Sequence, residues 1–389
     1  MTTQPPRPCA PQQPAPRRFG SAADISPQAA NAHLTIDLRA LKANYRRLCA
    51  ELRTVACAAV VKADGYGLGL ERVGPALADA GATSFFVAQL SEALRLREVV
   101  PDQKILVLGG LMAGAEATYL QHRIQPVLNS LDDIDRYRLL AEQTGRPLPA
   151  ALQLDSGMSR LGLPPQELAA LVADSARLRG VRIELMLSHL ACADEPNHPL
   201  NARQLETFRQ ARAQLPLGQA SLANSSGIFL GPAYHFDLGR PGVALYGANP
   251  TPGSPNPMSQ VVRLQGKILQ TREIDAGQCV GYGAAFISQR RRRIATVGVG
   301  YADGYLRSLS DRGQAWLGDC PLPLVGRVSM DLITLDVTAL SAEQARPGAL
   351  VDLLGPKEGV DEVAAKAGTI SYEILTSLGQ RYHRLYLDN

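Results

Sequence analysis

Lys62 is the residue from which chemistry can first be argued. The chain of 389 residues uses lysine six times against 34 arginines, and one of the six closes an apolar run from Val55 to Val61. Ala63-Asp64-Gly65-Tyr66-Gly67 follows at once. An unpatterned apolar run of this kind predicts a strand buried on both faces. A lysine at its end, stripped of water, can lose its proton and attack a carbonyl, which an arginine cannot do. The position equally suits a lysine whose stem lies along the strand and whose head reaches solvent. Other polar residues also follow apolar runs: Gln89, Asn129, Asp155, His189, Asn224 and Ser225. Taken singly, His189 reads as a structural histidine and Asn224-Ser225 as a helix cap. With Lys62 they read as one site, if the fold gathers the ends of those runs.

The elements that would gather them alternate. Leu34-Thr35-Ile36 predicts a short strand. Asp37 can cap a helix in which Leu38, Leu41, Tyr45, Leu48 and Leu52 recur at spacings of three and four. Apolar strands then end at Val61, Ala88, Leu108, Leu128, Leu154, Leu187 and Ala223, with helical patterns between them. About eight such units predict a closed parallel (β/α)8 TIM-like barrel, with its functional face at the strands' C-terminal ends. A doubly wound sheet competes with this reading, but no G-x-G-x-x-G stands after any strand. Four prolines from Pro250 to Pro257 mark a linker. Beyond it, short β-rich runs at 260–268, 293–299, 322–325, 332–337 and 349–354 predict a mostly antiparallel β domain. Helical pattern is expected there only at 370–378. The predicted division is a Pro-rich disordered tail over 1–32, a barrel over 33–258 and a β domain over 259–389.

Composition narrows the function. Hydrophobic content of 46%, charge of 20% and a net charge of +4 fit an ordinary globular protein and argue against nucleic acid or a membrane surface as partner. The run Arg290-Arg291-Arg292-Arg293 has no interleaved aromatics and reads as a solvated loop. None of the six cysteines forms a C-x-x-C pair, and no second pair completes a metal site with His189 and Cys192. They read as reduced thiols of a cytoplasmic protein. No apolar run reaches the ~18 residues of a membrane span, and the tail lacks the apolar stretch of a secretory signal.

A strand-end lysine in a barrel can bond a substrate carbonyl directly, or hold pyridoxal phosphate (PLP) as an electron sink. The second use needs a phosphate cradle and a partner for the pyridine nitrogen. Tyr66, Ser225 and the backbone at Gly242 and Val243 are candidates for the cradle, and Arg240 for the nitrogen.

At these residues the sequence resembles the alanine racemase family. The matching motifs in the barrel are Val61-Lys62-Ala63-Asp64-Gly65-Tyr66-Gly67, Asp155 to Gly162, Ser188-His189, Asn224-Ser225-Ser226 and Arg240-Pro241-Gly242. In the β domain they are Gly281-Tyr282-Gly283, Gly300 to Tyr305, Gly326 to Asp331 and Ile370 to Glu373. They run in the family's order from Leu34 to the C-terminus. The resemblance implies a PLP enzyme that interconverts L- and D-alanine with two bases, Lys62 and Tyr282, the latter from the partner in a head-to-tail homodimer with shared active sites. It implies a phosphate site of Tyr66, Ser225, Gly242, Val243 and Tyr372, with Asn224 also at the cofactor. It also implies a hydrogen-bond chain from Tyr282 through His189 to Arg240. Arg160 would hold the cofactor's phenolic oxygen and the substrate carboxylate, with Met330 and Asp331 beside the substrate and Tyr301 at the entrance. D-alanine supply for peptidoglycan and D-alanine catabolism are both open. The alternatives are a racemase of broader amino-acid specificity and a non-catalytic PLP-binding homeostasis protein, against which the second domain and Tyr282 weigh. Two departures stand out. Gln153 replaces a lysine that many members modify to a carbamate, and Ser329 replaces a cysteine. A direct Gln153–Arg160 hydrogen bond is expected, with a bound anion able to supplement it.

Overall fold

The structure, a computed structural model, describes residues 26–388. Most of the predicted tail, 1–25, lies outside the described residues; of its last stretch, Ala30 and Ala32 are buried.

The first strand, β1 (Ala32–Asp37), corrects one expectation. It alternates buried and half-buried residues. The sequence pattern made it the opening strand of the barrel series. It instead lies antiparallel to β11 (Val262–Ile274) and parallel to the strand His383–Leu387, inside the second sheet. Its alternating burial is the signature of a sheet with two unlike faces, unlike the continuous apolar runs of the barrel strands. The helix after it follows the sequence reading. Leu38–Leu52 buries Leu38, Leu41, Tyr45, Leu48 and Leu52, and the Asp37 carboxylate accepts the N–H groups of Arg39 and Ala40.

The barrel consists of β2 (Ala56–Cys57), β3 (Ala59–Val60), β4 (Ser84–Val87), β5 (Lys104–Val107), β6 (Ile124–Leu128), β7 (Leu148–Gln153), β8 (Val181–Leu187), β9 (Gln219–Ser221) and β10 (Leu238–Gly239). From β3 to β9 each strand pairs in parallel with the next. β10 pairs in parallel with β2, and Asp237 N–H···O Ala220 and Arg240 N–H···O Ala223 (both 2.9 Å) join it to β9. The ring is thereby closed. The expected single strand from Val55 to Val61 is two short pieces because it is the seam. Ala58 and Val60 donate to Gly239 and Pro241 on one side, while Val61 donates to Phe86 on the other. The interior is apolar, with Phe85, Phe86, Val107, Val127, Leu128 and Leu152 at 2% exposure or less.

The second domain is the mostly antiparallel sheet that the sequence predicts. Its spine is β11, which runs six residues further than expected and pairs with Arg292–Val297 and Leu350–Leu354 as well as β1. Half of the basic run is therefore strand and not loop. Arg292 is paired with Asp336, and Arg293 with Glu273 at 2.9 Å. A helix that the sequence reading did not anticipate, Val360–Ala367, precedes the expected one at Ser371–Ser377. Among the described residues no helix is long and apolar enough to cross a membrane.

Candidate active site

The backbone does something unusual after Lys62. Ala63, Asp64, Gly65 and Tyr66 have φ of 54°, 58°, 62° and 55°, a left-handed turn in which only one residue is glycine. Such geometry costs roughly 1–2 kcal/mol for each residue with a side chain. Specific bonds hold it. Gly65 N–H donates to Val61 O (2.9 Å) and Gly67 N–H to Ala63 O (2.7 Å). Ala63 N–H donates to the Glu92 carboxylate (2.5 Å), and Arg95 reaches Asp64 Oδ1 at 2.8 Å. The turn brings Lys62 and Tyr66, four residues apart, to the same cavity.

That cavity, about 230 Å³, opens at the C-terminal ends of the barrel strands. Every residue expected around the cofactor lines it: Lys62, Tyr66, Arg160, His189, Asn224, Ser225, Arg240, Gly242, Val243 and Tyr372. Burial pushes the Lys62 ammonium below its ordinary basicity, Arg160 pushes the same way, and Glu92 opposes them. Arg240 is 4% exposed; it donates to Ser188 O (2.5 Å) and to Ser221 Oγ. Burial lowers its pKa to about 10, so it stays protonated near neutrality. Burial, then the charges of Arg240, Arg160 and Lys62, push His189 down to about 3, so the imidazole is neutral. One expectation is corrected here. No hydrogen bond joins His189 to Arg240, because the desolvated guanidinium takes the oxygens of Ser188 and Ser221 instead.

At the other end Ser225 Oγ accepts the N–H groups of Gly242 (2.9 Å) and Ala244 (3.3 Å), which leaves its own proton free to donate. Tyr66 stacks on Tyr246 with ring centroids 4.4 Å apart, and Tyr246 OH donates to Val60 O at 3.0 Å. A Cβ at Gly242 would run into the Tyr66 hydroxyl, so only glycine lets the backbone come this close. Asn224 Oδ1 accepts Gly227 N–H (2.9 Å) and fixes the start of the segment carrying Ser225. An amine at one end and hydroxyl donors at the other, with a buried guanidinium between, suit an aldehyde that carries a phosphate and a ring nitrogen.

Gln153 departs from expectation. Its amide nitrogen donates to Leu161 O at 3.1 Å and not toward Arg160. The reason is local. Asp155 accepts the N–H groups of Gly157, Met158 and Ser159, and Gly162 turns back against the Gln153 stem, so the Leu161 carbonyl lies nearest. Among the described residues Arg160 has no hydrogen bond or ion pair, and its side chain is exposed at the cavity mouth.

The remaining expected residues are not in this cavity. Tyr282 (74% exposed), Met330 (54%) and Tyr301 (43%) lie on the β domain, Tyr282 in a separate hollow with Arg327 and Ser329. Tyr301 and Met330 are held close by Tyr301 N–H···O Ser329 (3.0 Å) and Ala302 N–H···O Met330 (2.9 Å). Asp331 accepts from Arg381 at 2.8 Å. Sequence reasoning missed Ser221 and Glu92. Glu92 stands three residues after Gln89, the spacing of a reciprocal helix cap, and that signal could have found it.

A barrel and a β domain arranged in this way are the two parts of a known kind of isomerase. The family models of the N-terminal and C-terminal domains of alanine racemase match residues 36–250 and 261–386. The chain is 52% identical to the catabolic alanine racemase of Mesorhizobium japonicum, over 93% of its own length and 95% of the relative's. It is 54% identical to the alanine racemase of Rhodospirillum rubrum, over 92% and 96%. The alanine racemase of Bartonella henselae, crystallised with covalently bound pyridoxal phosphate, superposes with a TM-score of 0.89 at 43% identity, covering 92% of this chain and 100% of that one. The chain belongs to the alanine racemase family.

Proposed function

We propose that this isomerase interconverts L- and D-alanine with PLP carried on Lys62, and that Lys62 and Tyr282 of a second copy are its two bases. Racemisation removes the α-proton from one face and returns a proton to the other, so a base is needed on each. One observation carries the reading: among the described residues of a single chain, the barrel cavity holds only one suitable base. Lys62 has lowered basicity. Burial raises the phenols of Tyr66 and Tyr372, which makes them harder to ionise. His189 at about 3 is too weak a base, and Arg240 stays protonated. Tyr282 is exposed on the other domain, where a second copy arranged head to tail would bring it to this cavity.

When bound, PLP acidifies the substrate's Cα–H by withdrawing electrons from it. The hydroxyls of Tyr66, Ser225 and Tyr372 would hold its phosphate beside Gly242 and Val243, with Asn224 fixing the start of the segment that carries Ser225. Arg240, protonated, would donate to the ring nitrogen without transferring its proton. Arg160 would hold the phenolic oxygen and the substrate carboxylate. Met330 and Asp331 of the second copy complete the carboxylate site, and Tyr301 narrows the entrance. The role is D-alanine supply for peptidoglycan or D-alanine catabolism, and the catabolic designation of the Mesorhizobium relative supports keeping the second.

The test mixes two inactive chains. Lys62→Ala and Tyr282→Ala co-expressed give heterodimers with one doubly defective site and one intact site. Alanine racemisation should reappear in the mixture. A mixture as dead as its parents would overturn the shared site.

A further inference from the structure

We propose that Glu92 is a positioning residue, clamping the left-handed turn between Lys62 and Tyr66 to the end of barrel strand β4. Its Oε1 accepts Ala63 N–H (2.5 Å), while Oε2 accepts Ala88 N–H (2.8 Å) and Gln89 N–H (3.1 Å). One carboxylate thus ties together the chain just beyond β3 and the chain just beyond β4. Those neighbouring strands supply the floor on which Lys62 stands. The inference rests on Lys62 being the cofactor lysine only for its effect on turnover.

The residue type follows from the geometry. Both oxygens must accept, and only a carboxylate offers two acceptors. A glutamine would turn its NH2 toward either Ala63 N–H or the pair at Ala88 and Gln89, donor against donor. An aspartate is one methylene too short to span both segments. The clamp is needed because Ala63, Asp64 and Tyr66 carry side chains in a backbone region that favours glycine. Without it the turn can relax toward a right-handed course and carry Lys62 and Tyr66 out of register. Arg95, one turn further along the helix Leu90–Val99, ties the turn from outside by gripping Asp64 (2.8 Å) and Glu71 (2.7 Å). The same helix therefore holds the turn at two points. The Glu92 charge also faces Lys62 and opposes the loss of basicity that burial and Arg160 impose.

Hydrogen exchange on the purified enzyme tests the clamp at Gly65 and Gly67, whose amides bond within the turn. In Glu92→Gln their exchange should rise about tenfold or more, with amides of β6 to β8 unchanged. kcat should fall about tenfold with KM nearly constant, since a displaced lysine costs turnover more than binding. Adding Ala63→Gly should recover much of both losses, because glycine adopts the left-handed turn freely. Unchanged exchange at Gly65 and Gly67 in Glu92→Gln would overturn the proposal, as would a glycine substitution that rescues nothing. If Glu92→Gln does not fold, recovery of folding by Ala63→Gly supports the clamp. In that case failure of the double variant, with wild-type exchange in Arg95→Gln, refutes it. Borohydride reduction of the wild-type enzyme separates the two readings. Cofactor fixed to a different lysine removes the link to turnover and leaves the exchange result standing.

Discussion

The mouth of the barrel and the Tyr282 face of the β domain have opposite characters. Deep in the barrel mouth, beside Lys62, the side chains are positive and short of water: Arg240 is buried and His189 is held neutral. On the β domain several aromatic and apolar groups stand in the open, with Tyr282, Met330 and Ile287 each more than half exposed. In the proposed mechanism this contrast separates two requirements, retention of a cofactor at the barrel and delivery of a second base from the β domain, onto two surfaces of one chain.

The sharpest way to break the comparison is to disable each surface alone. Lys62→Ala should lose cofactor attachment and activity together. Tyr282→Phe should keep the bound cofactor's absorbance while racemisation falls by about 10²- to 10⁴-fold. A Tyr282→Phe enzyme that lost cofactor instead would merge the two roles. Next in size is Arg240→Glu. A carboxylic acid can give its proton to the ring nitrogen where the guanidinium does not, so racemisation should slow by roughly tenfold or more while pyruvate release rises relative to it. An unchanged ratio of pyruvate to racemised alanine would refute that role.

Acid should weaken the barrel before it affects an exposed face. The unfolded chain protonates His189 near its ordinary 6.5, and the folded chain does so near 3. The stabilisation is therefore complete above about pH 6.5 and declines as the pH falls toward 3. On the order of 1–2 kcal/mol is lost by pH 5. Thermal melts from pH 7 to 5 should fall less steeply for His189→Gln than for the wild type, and parallel slopes would show that the imidazole is not buried neutral. The smallest effect belongs to Gln153. It bonds the Leu161 carbonyl beside Arg160, so Gln153→Ala should loosen that turn and reduce kcat/KM about three- to tenfold, without any dependence on dissolved carbon dioxide. Unaltered kinetics would leave the amide without a role in placing Arg160.

The barrel half was largely legible in the sequence. Strands buried on both faces read as apolar runs, and the polar residue after each run falls by geometry at the same rim. The sequence pattern therefore places Lys62, His189, Asn224 and Ser225 together. The errors lie where the sequence signal is local and the determinant is not. Nothing near β1 announces that its partners are more than two hundred residues away. Val360, Val363, Ala364 and Ala367 have the spacing of a helix's buried face, but the helix is only eight residues long and its pattern is correspondingly weak. Gln153 and Arg240 took partners that only the folded chain supplies, namely the Leu161 carbonyl and Ser221.

The placement of β1 has a consequence for how the chain is made. The strand that is made first among the described elements pairs with β11 and with His383–Leu387, both of which are made after every barrel strand. While the barrel emerges and can close, β1 has neither neighbour. His383–Leu387 supplies its parallel partner, and Tyr386 and Arg384 then bond the carbonyls of Leu68 and Gly67, at the foot of the turn that carries Lys62 and Tyr66. The lysine's surroundings therefore become final only once that distant strand has been made, and not when the barrel strands are complete.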